Sequence, residues 1–179
     1  RAGVGANSVT LAGFGIGLFA AFLIASHAYL AGASAIFLSR LLDGLDGAVA
    51  RQTQPTDAGG FLDIALDFLF YASIPLAFAF ADPARNALPA AVLLAAFIGT
   101  GSSFLAFAVL AAGRGMRDTG DAPKSFFFLG GLTEAGETLA FFTAMGLWPQ
   151  NFATLAFAFA ALCAVTIATR LWWGWKTFG

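Results

Sequence analysis

Cysteine and histidine are almost missing from this chain: 179 residues contain one of each, Cys163 and His27. That excludes an intramolecular disulfide and a zinc site built from Cys or His clusters. Glutamate occurs only at 134 and 137, although the chain carries ten acids. Charge of either sign is sparse, at 11% of residues with a formal net charge of −1. No basic face is therefore available for nucleic acid, and no nucleic-acid partner is expected. A solvated surface is lacking too, because 59% of residues are apolar and the mean hydropathy is +0.81. These shortages leave an integral membrane protein as the class to be expected.

Apolar stretches matching the roughly 20 residues that cross about 30 Å of hydrocarbon recur along the chain. Spans are expected over 8–25, 29–50, 60–81, 88–112, 125–147 and 151–173, with Pro83, Pro123 and Pro149 each in a polar break. Every span must satisfy its own backbone hydrogen bonds. The expected fold is thus an all-α integral membrane protein, a six-transmembrane-helix bundle forming one domain over 1–179. Arg1, Arg51, Arg114, Arg117, Lys124, Arg170 and Lys176 fall at one set of alternate ends, and Arg85 at the other. The positive-inside rule then sets both termini in the cytoplasm. Trp148 marks the far interface and Trp172, Trp173 and Trp175 the near one. Because the chain begins at Arg1 rather than Met, a longer native N-terminus is expected.

Against this apolar background stand Asp43, Asp46, Asp63 and Asp67. A carboxylate at bilayer depth costs about 2.5–3.5 kcal/mol on insertion scales. Four close together repel one another unless a cation sits between them. Asp43 and Asp46 are i and i+3, and Asp63 and Asp67 i and i+4, so each pair shares a helix face. The two spans are joined by a short loop, which predicts an antiparallel hairpin with both pairs just inside the cytoplasmic boundary. Hard oxygen ligands favour Mg²⁺ or Mn²⁺ over zinc. Four carboxylates suit two bridged ions about 3.5–4 Å apart, the clamp used on phosphoryl oxygens. Gly44 and Gly47 let a ligand approach the helix backbone closely, and Arg51, one turn beyond, can offset the charge of a diphosphate.

The run Asp43-x-x-Asp46-Gly47-x-x-Ala50-Arg51, followed by Gly59-x-x-x-Asp63-x-x-x-Asp67, resembles the signature of the CDP-alcohol phosphotransferase family. The family pattern usually has eight residues between the Arg and the second Gly, whereas seven intervene here, Gln52–Ala58. Asn7-Ser-Val-Thr10 is similar to the Asn-x-x-Thr that often opens the first helix of relatives. The segments from 61 and from 124 resemble those of a bacterial inner-membrane subgroup. The resemblance implies six helices, a possible homodimer, and transfer of a substituted phosphate from a CDP-linked donor to an alcohol with release of CMP. It implies that Asp43, Asp46 and Asp63 hold one metal, and Asp43, Asp63 and Asp67 the other. Asp67 would also deprotonate the acceptor. Gly47, Ala50, Arg51 and Gly59, with Asn7 and Thr10, would line the nucleotide.

The resemblance also implies an acceptor near the connection between the fourth and fifth spans, which carries Arg114, Arg117 and Lys124. A plain positive-inside loop explains that cluster equally well. Glu134 and Glu137, i and i+3 in the fifth span, are expected at a site because acids within spans rarely face lipid. Arg40, three residues before Asp43, is either a neutralising partner or a phosphate ligand. Two other readings compete: a divalent-cation channel or transporter, and an inactive metal-binding membrane protein. A transporter would show paired half-repeats with broken helices, and this chain has one acidic hairpin without an evident second copy. His27 is expected to be solvated at the far interface, and Thr133 and Thr138 to bond within their own helix.

Overall fold

The structure, a computed structural model, describes residues 6–52, 56–116, 133 and 135–179, with backbone alone at 6, 43 and 45–52. Among the described residues the helices are α1 (Ala6–Ala25), α2 (Tyr29–Gln52), α3 (Asp57–Ala81), α4 (Pro83–Gly113), α5 (Ala135–Leu147) and α6 (Phe152–Phe178). A short 3-10 turn, Pro149–Asn151, leads into α6. Residues 125–132 and 134 of the expected fifth span lie outside the described residues, as do Arg117 and Lys124.

Caps explain where the helix starts depart from the expected boundaries. Thr56 Oγ1 accepts a hydrogen bond from the Gly59 N–H at 3.1 Å, which starts α3 at Asp57 rather than at 60. Asp82 accepts from the Arg85 N–H at 3.2 Å, and Pro83 sits where its missing N–H is not needed. The break expected over Asp82–Ala87 therefore shrinks to Asp82, and Pro89 falls inside α4. Between α1 and α2, His27 takes the left-handed backbone conformation, φ +64°, that turns the chain back. Its exposed ring places Nδ1 3.0 Å from the Tyr29 hydroxyl.

Among the described residues, four segments are long and apolar enough to cross a membrane: Asn7–Ala25, Asp57–Ala81, Pro83–Gly113 and Pro149–Phe178. In α2 the apolar run is shorter, Tyr29–Leu42, because the aspartates follow it. Large side chains such as Phe22, Leu30, Phe61, Phe80, Ile98 and Val109 point outward, as a lipid-facing surface requires. The interior is a stack of aromatic rings. Phe70, Ile74 and Phe78 recur every four residues along α3, forming one buried stripe. Phe78 stacks on Phe152 at 4.4 Å between centroids, and Phe159 on Phe141 at 4.5 Å. α1 packs against both α2 and α3, α3 against α4, α4 against α6, and α2 against α5.

Candidate active site

Two side-chain contacts mark the register between α2 and α3, which both pack on α1. At the far end the Tyr29 ring stacks on Phe78, with centroids 5.7 Å apart. Nearer the other end Arg40 Nη1 donates to Asp67 Oδ1 at 2.6 Å. From 29 to 40 on α2 and from 78 to 67 on α3 is eleven residues each, so the helices run antiparallel without slippage. Continuing that register sets backbone position 43 level with 63–64, and 46–47 level with 60–61. The two halves of the aspartate pattern thus share one level at one end of the molecule. The side chains of Asp43, Asp46, Gly47, Ala50 and Arg51 lie outside the described residues.

Asp67 heads the buried α3 stripe, being three residues before Phe70. Its side chain is 32% exposed, while that of Arg40 is only 11% exposed. The Arg40 guanidinium lies over the Phe70 ring at 4.0 Å and also near Tyr71 at 5.7 Å. Its Nη2 donates to Ser39 Oγ at 3.4 Å, and that hydroxyl donates to the Gly13 carbonyl of α1 at 2.7 Å. Arg40 is therefore seated between α2 and α3, is linked to α1 through Ser39, and points at Asp67, as a neutralising partner would. Asp63, one turn earlier on α3, is exposed.

The start of α1 reaches the same end. A Cβ placed on Gly59 would stand 3.1 Å from Asn7 Oδ1 and 3.1 Å from Thr56 Oγ1. Asn7, distant in sequence, thus sits beside the glycine that opens the second half of the pattern. Thr10 is half-buried one turn further along α1.

Of the residues expected around the acceptor, Arg40, Arg114 and Glu137 are among the described ones. Arg114 caps the end of α4, and its guanidinium donates to the Thr177 carbonyl at 3.2 Å and the Phe178 carbonyl at 2.9 Å. It also lies over the Phe178 ring at 5.0 Å, so it ties α4 to the last turn of α6. Glu137 is exposed in the first turn of α5, and Glu134 lies outside the described residues. Thr133 departs from the expectation of a bond within its own helix, since its hydroxyl donates to Thr166 Oγ1 on α6 at 3.1 Å.

The sequence marks Arg170 only as a cytoplasmic charge, yet it turns inward. Its Nη1 donates to the Thr100 carbonyl at 2.9 Å, and its guanidinium lies 5.5 Å from the Phe104 ring centre. It borders a cavity of about 450 Å³ between α3, α4, α5 and α6, together with Phe68, Tyr71, Thr133 and Cys163. The signal is present in the sequence. Phe159, Cys163, Thr166 and Arg170 follow one another at helical spacing, and the first three are buried.

The donor set can be tested against a divalent cation. The oxygens offered are carboxylates, the hard ligands that Mg²⁺ and Mn²⁺ take. Asp63 and Asp67 are one turn apart on α3, and the register brings 43 and 46 to their level. Asp67 already has the Arg40 guanidinium as a counter-ion, and the described residues by themselves form no group of three such ligands. In the chemistry of their oxygens, the two described carboxylates, Asp63 and Asp67, suit such an ion.

Outward-facing apolar helices around an acidic hairpin define the class: the molecule fits a multi-pass membrane protein with its polar site at one end. The model of the CDP-alcohol phosphatidyltransferase family matches residues 4–176. The chain belongs to that family and is an enzyme of that class. It is 54% identical over 177 residues to inner membrane protein YnjF of Escherichia coli K12, covering 99% of this chain and 86% of that one. Over 70 residues it is 43% identical to the archaetidylinositol phosphate synthase of Methanothermobacter thermautotrophicus, spanning 38% of this chain and 36% of that protein. The apo crystal structure of the Mycobacterium tuberculosis phosphatidylinositol phosphate synthase shares the fold, with a TM-score of 0.74 at 21% identity over 98% of this chain and 91% of that one. The same enzyme with CDP-DAG bound gives a TM-score of 0.70 at 23% identity, covering 98% and 88%. Its complex with manganese and citrate gives 0.71 at 23% identity, covering 98% and 84%.

Proposed function

We propose that the chain transfers a phosphatidyl group from a CDP-linked lipid, CDP-diacylglycerol, to an alcohol and releases CMP. The observation that carries this reading is the α2–α3 register marked by Tyr29–Phe78 and Arg40–Asp67, which supports it by bringing backbone positions 43 and 46 level with the start of α3. Further support comes from the mycobacterial enzyme of the same fold, crystallised with manganese and, separately, with CDP-DAG. The molecule works as six membrane spans in the bacterial inner membrane, as a homodimer, with both termini and the active site on the cytoplasmic side.

Asp43, Asp46 and Asp63 would hold one Mg²⁺ or Mn²⁺ ion, and Asp43, Asp63 and Asp67 a second. Such ions, when bound, neutralise the diphosphate oxygens and polarise the phosphorus under attack. Asp67 accepts the proton of the acceptor hydroxyl as its oxygen bonds to the β-phosphorus. The bond from that phosphorus to the CMP oxygen breaks, and CMP leaves to the cytoplasm. Arg51 offsets charge on the diphosphate. Gly47, Ala50, Gly59, Asn7 and Thr10 line the nucleotide, and Gly59 keeps the space beside Asn7 open. Arg117, Lys124, Glu134 and Glu137 border the acceptor, with Arg114 at the root of that connection.

The test is CMP release from CDP-diacylglycerol by purified protein with Mg²⁺ or Mn²⁺, against a panel of free and phosphorylated alcohols. Metal-dependent CMP with one acceptor is expected, and none from Asp67→Asn, which should still fold. Normal turnover in that variant would remove the base assignment. Absence of both turnover and thermal protection by CDP-diacylglycerol would remove the donor.

A further inference from the structure

The pairing of Arg40 with Asp67 carries a consequence for metal binding. Arg40 is nine-tenths buried at its side chain and fixed from three sides: the Phe70 face, the Ser39 hydroxyl and the Asp67 carboxylate. A buried charge seated this way is not free to swing away when another cation arrives. Its charge lies on an oxygen of Asp67, the carboxylate assigned both to the second metal and to the acceptor proton.

We infer that Arg40 is a built-in cation of the site, holding Asp67 in the metal-free protein and weakening divalent-metal binding there. This inference rests on the metal-site reading above. Two effects act in the same direction. The guanidinium competes with an incoming ion for Asp67, and its charge repels that ion at short range, where repulsion from a divalent ion is twice that from a monovalent one. The partly buried location limits screening by salt. In exchange, the acidic cluster is stable without metal, since Arg40 cancels one carboxylate charge at a depth where unpaired charge is costly. The enzyme thereby folds in metal-poor conditions and keeps its ions exchangeable.

Mn²⁺ binding to the purified protein, measured by electron paramagnetic resonance without any substrate, separates this role from a merely structural one. Arg40→Gln should bind Mn²⁺ at least roughly tenfold more tightly than the unsubstituted protein. Arg40→Lys, which keeps the charge, should bind close to it. Without metal, Arg40→Gln should melt below the unsubstituted protein, and Mn²⁺ should narrow that gap. If Arg40→Gln does not fold, Arg40→Gln with Asp67→Asn is compared with Asp67→Asn alone, and tighter Mn²⁺ binding by the double variant is again expected. Equal or weaker binding on loss of the Arg40 charge, in either comparison, overturns the inference while leaving the metal site standing. No Mn²⁺ binding by the unsubstituted protein overturns the metal-site reading and this inference together.

Discussion

Gly17 shows how one missing side chain supports the charged site. A Cβ there would lie 2.5 Å from Phe70 Cδ2 and 3.1 Å from Ser39 Oγ, the two groups that seat Arg40. Phe70 is fully buried and packed edge-on against Tyr71 and Phe142, so it cannot yield without disturbing the rest. Gly17→Ala should therefore cost about 1–3 kcal/mol, the range for overpacking a filled interior. At Gly15, two residues earlier on the same helix, a Cβ would meet nothing within 4 Å. Gly15→Ala should be neutral or stabilising by up to about 1 kcal/mol, the cost of glycine in a helix. Denaturant unfolding of the two variants in detergent checks the contrast, and an equal loss in both would contradict the packing described. The aspartates themselves are legible from the sequence because their cost in lipid makes them conspicuous. The role of Arg40 is not, since a residue three before Asp43 can face either the substrate or a neighbouring helix. Its pairing with Asp67 across the two helices appears only in the tertiary structure.

Helix ends depend on single caps, and one of them joins distant parts of the chain. Arg114 stands at the end of α4 and hydrogen-bonds the last carbonyls of α6, where a cation also complements the helix dipole. The Phe107 ring lies 4.8 Å from Phe178 and adds an aromatic contact to the same junction. Arg114→Ala should loosen the final turn of α6 while sparing the centre of the molecule. Amide exchange should speed up over 174–179 and stay unchanged over 70–78; uniform acceleration would mean that the contact governs global stability instead. In the sequence, Arg114 belongs to a charged connection that a positive-inside loop also explains. Its partners lie more than sixty residues away, so periodicity could not reveal them. The early start of α4 is, by contrast, readable in principle: Asp82 followed by Pro83 is a cap-and-first-turn pair.

At the scale of the whole molecule, the proposed orientation rests on basic residues crowding one set of helix ends. With Cys163 replaced by Ser, single cysteines at 84 and 150 should react with a membrane-impermeant maleimide on intact cells. Cysteines at 115 and 179 should react only after permeabilisation. Labelling of all four from one side would break the alternating topology. The exposed Trp148 near one end and Trp172 and Trp175 near the other suit the two interfaces. Lys176, 4.8 Å from the Trp172 ring, keeps a cation at the end assigned to the cytoplasm.

The sequence by itself determined the class, the long apolar helices and the acidic hairpin. Hydropathy over a helix length and the spacing of charged residues are local properties that tertiary contacts do not override in lipid. It also carried the pattern that marks the family. The tertiary structure decided which polar groups meet across helices: Arg40 with Asp67, Asn7 beside Gly59, Arg114 with the end of α6, and Arg170 with Thr100. Those meetings depend on the rotation and register of packed helices. Rotation and register are set by the fit of buried rings such as Phe70, Phe78 and Phe159, whose partners come from remote parts of the chain.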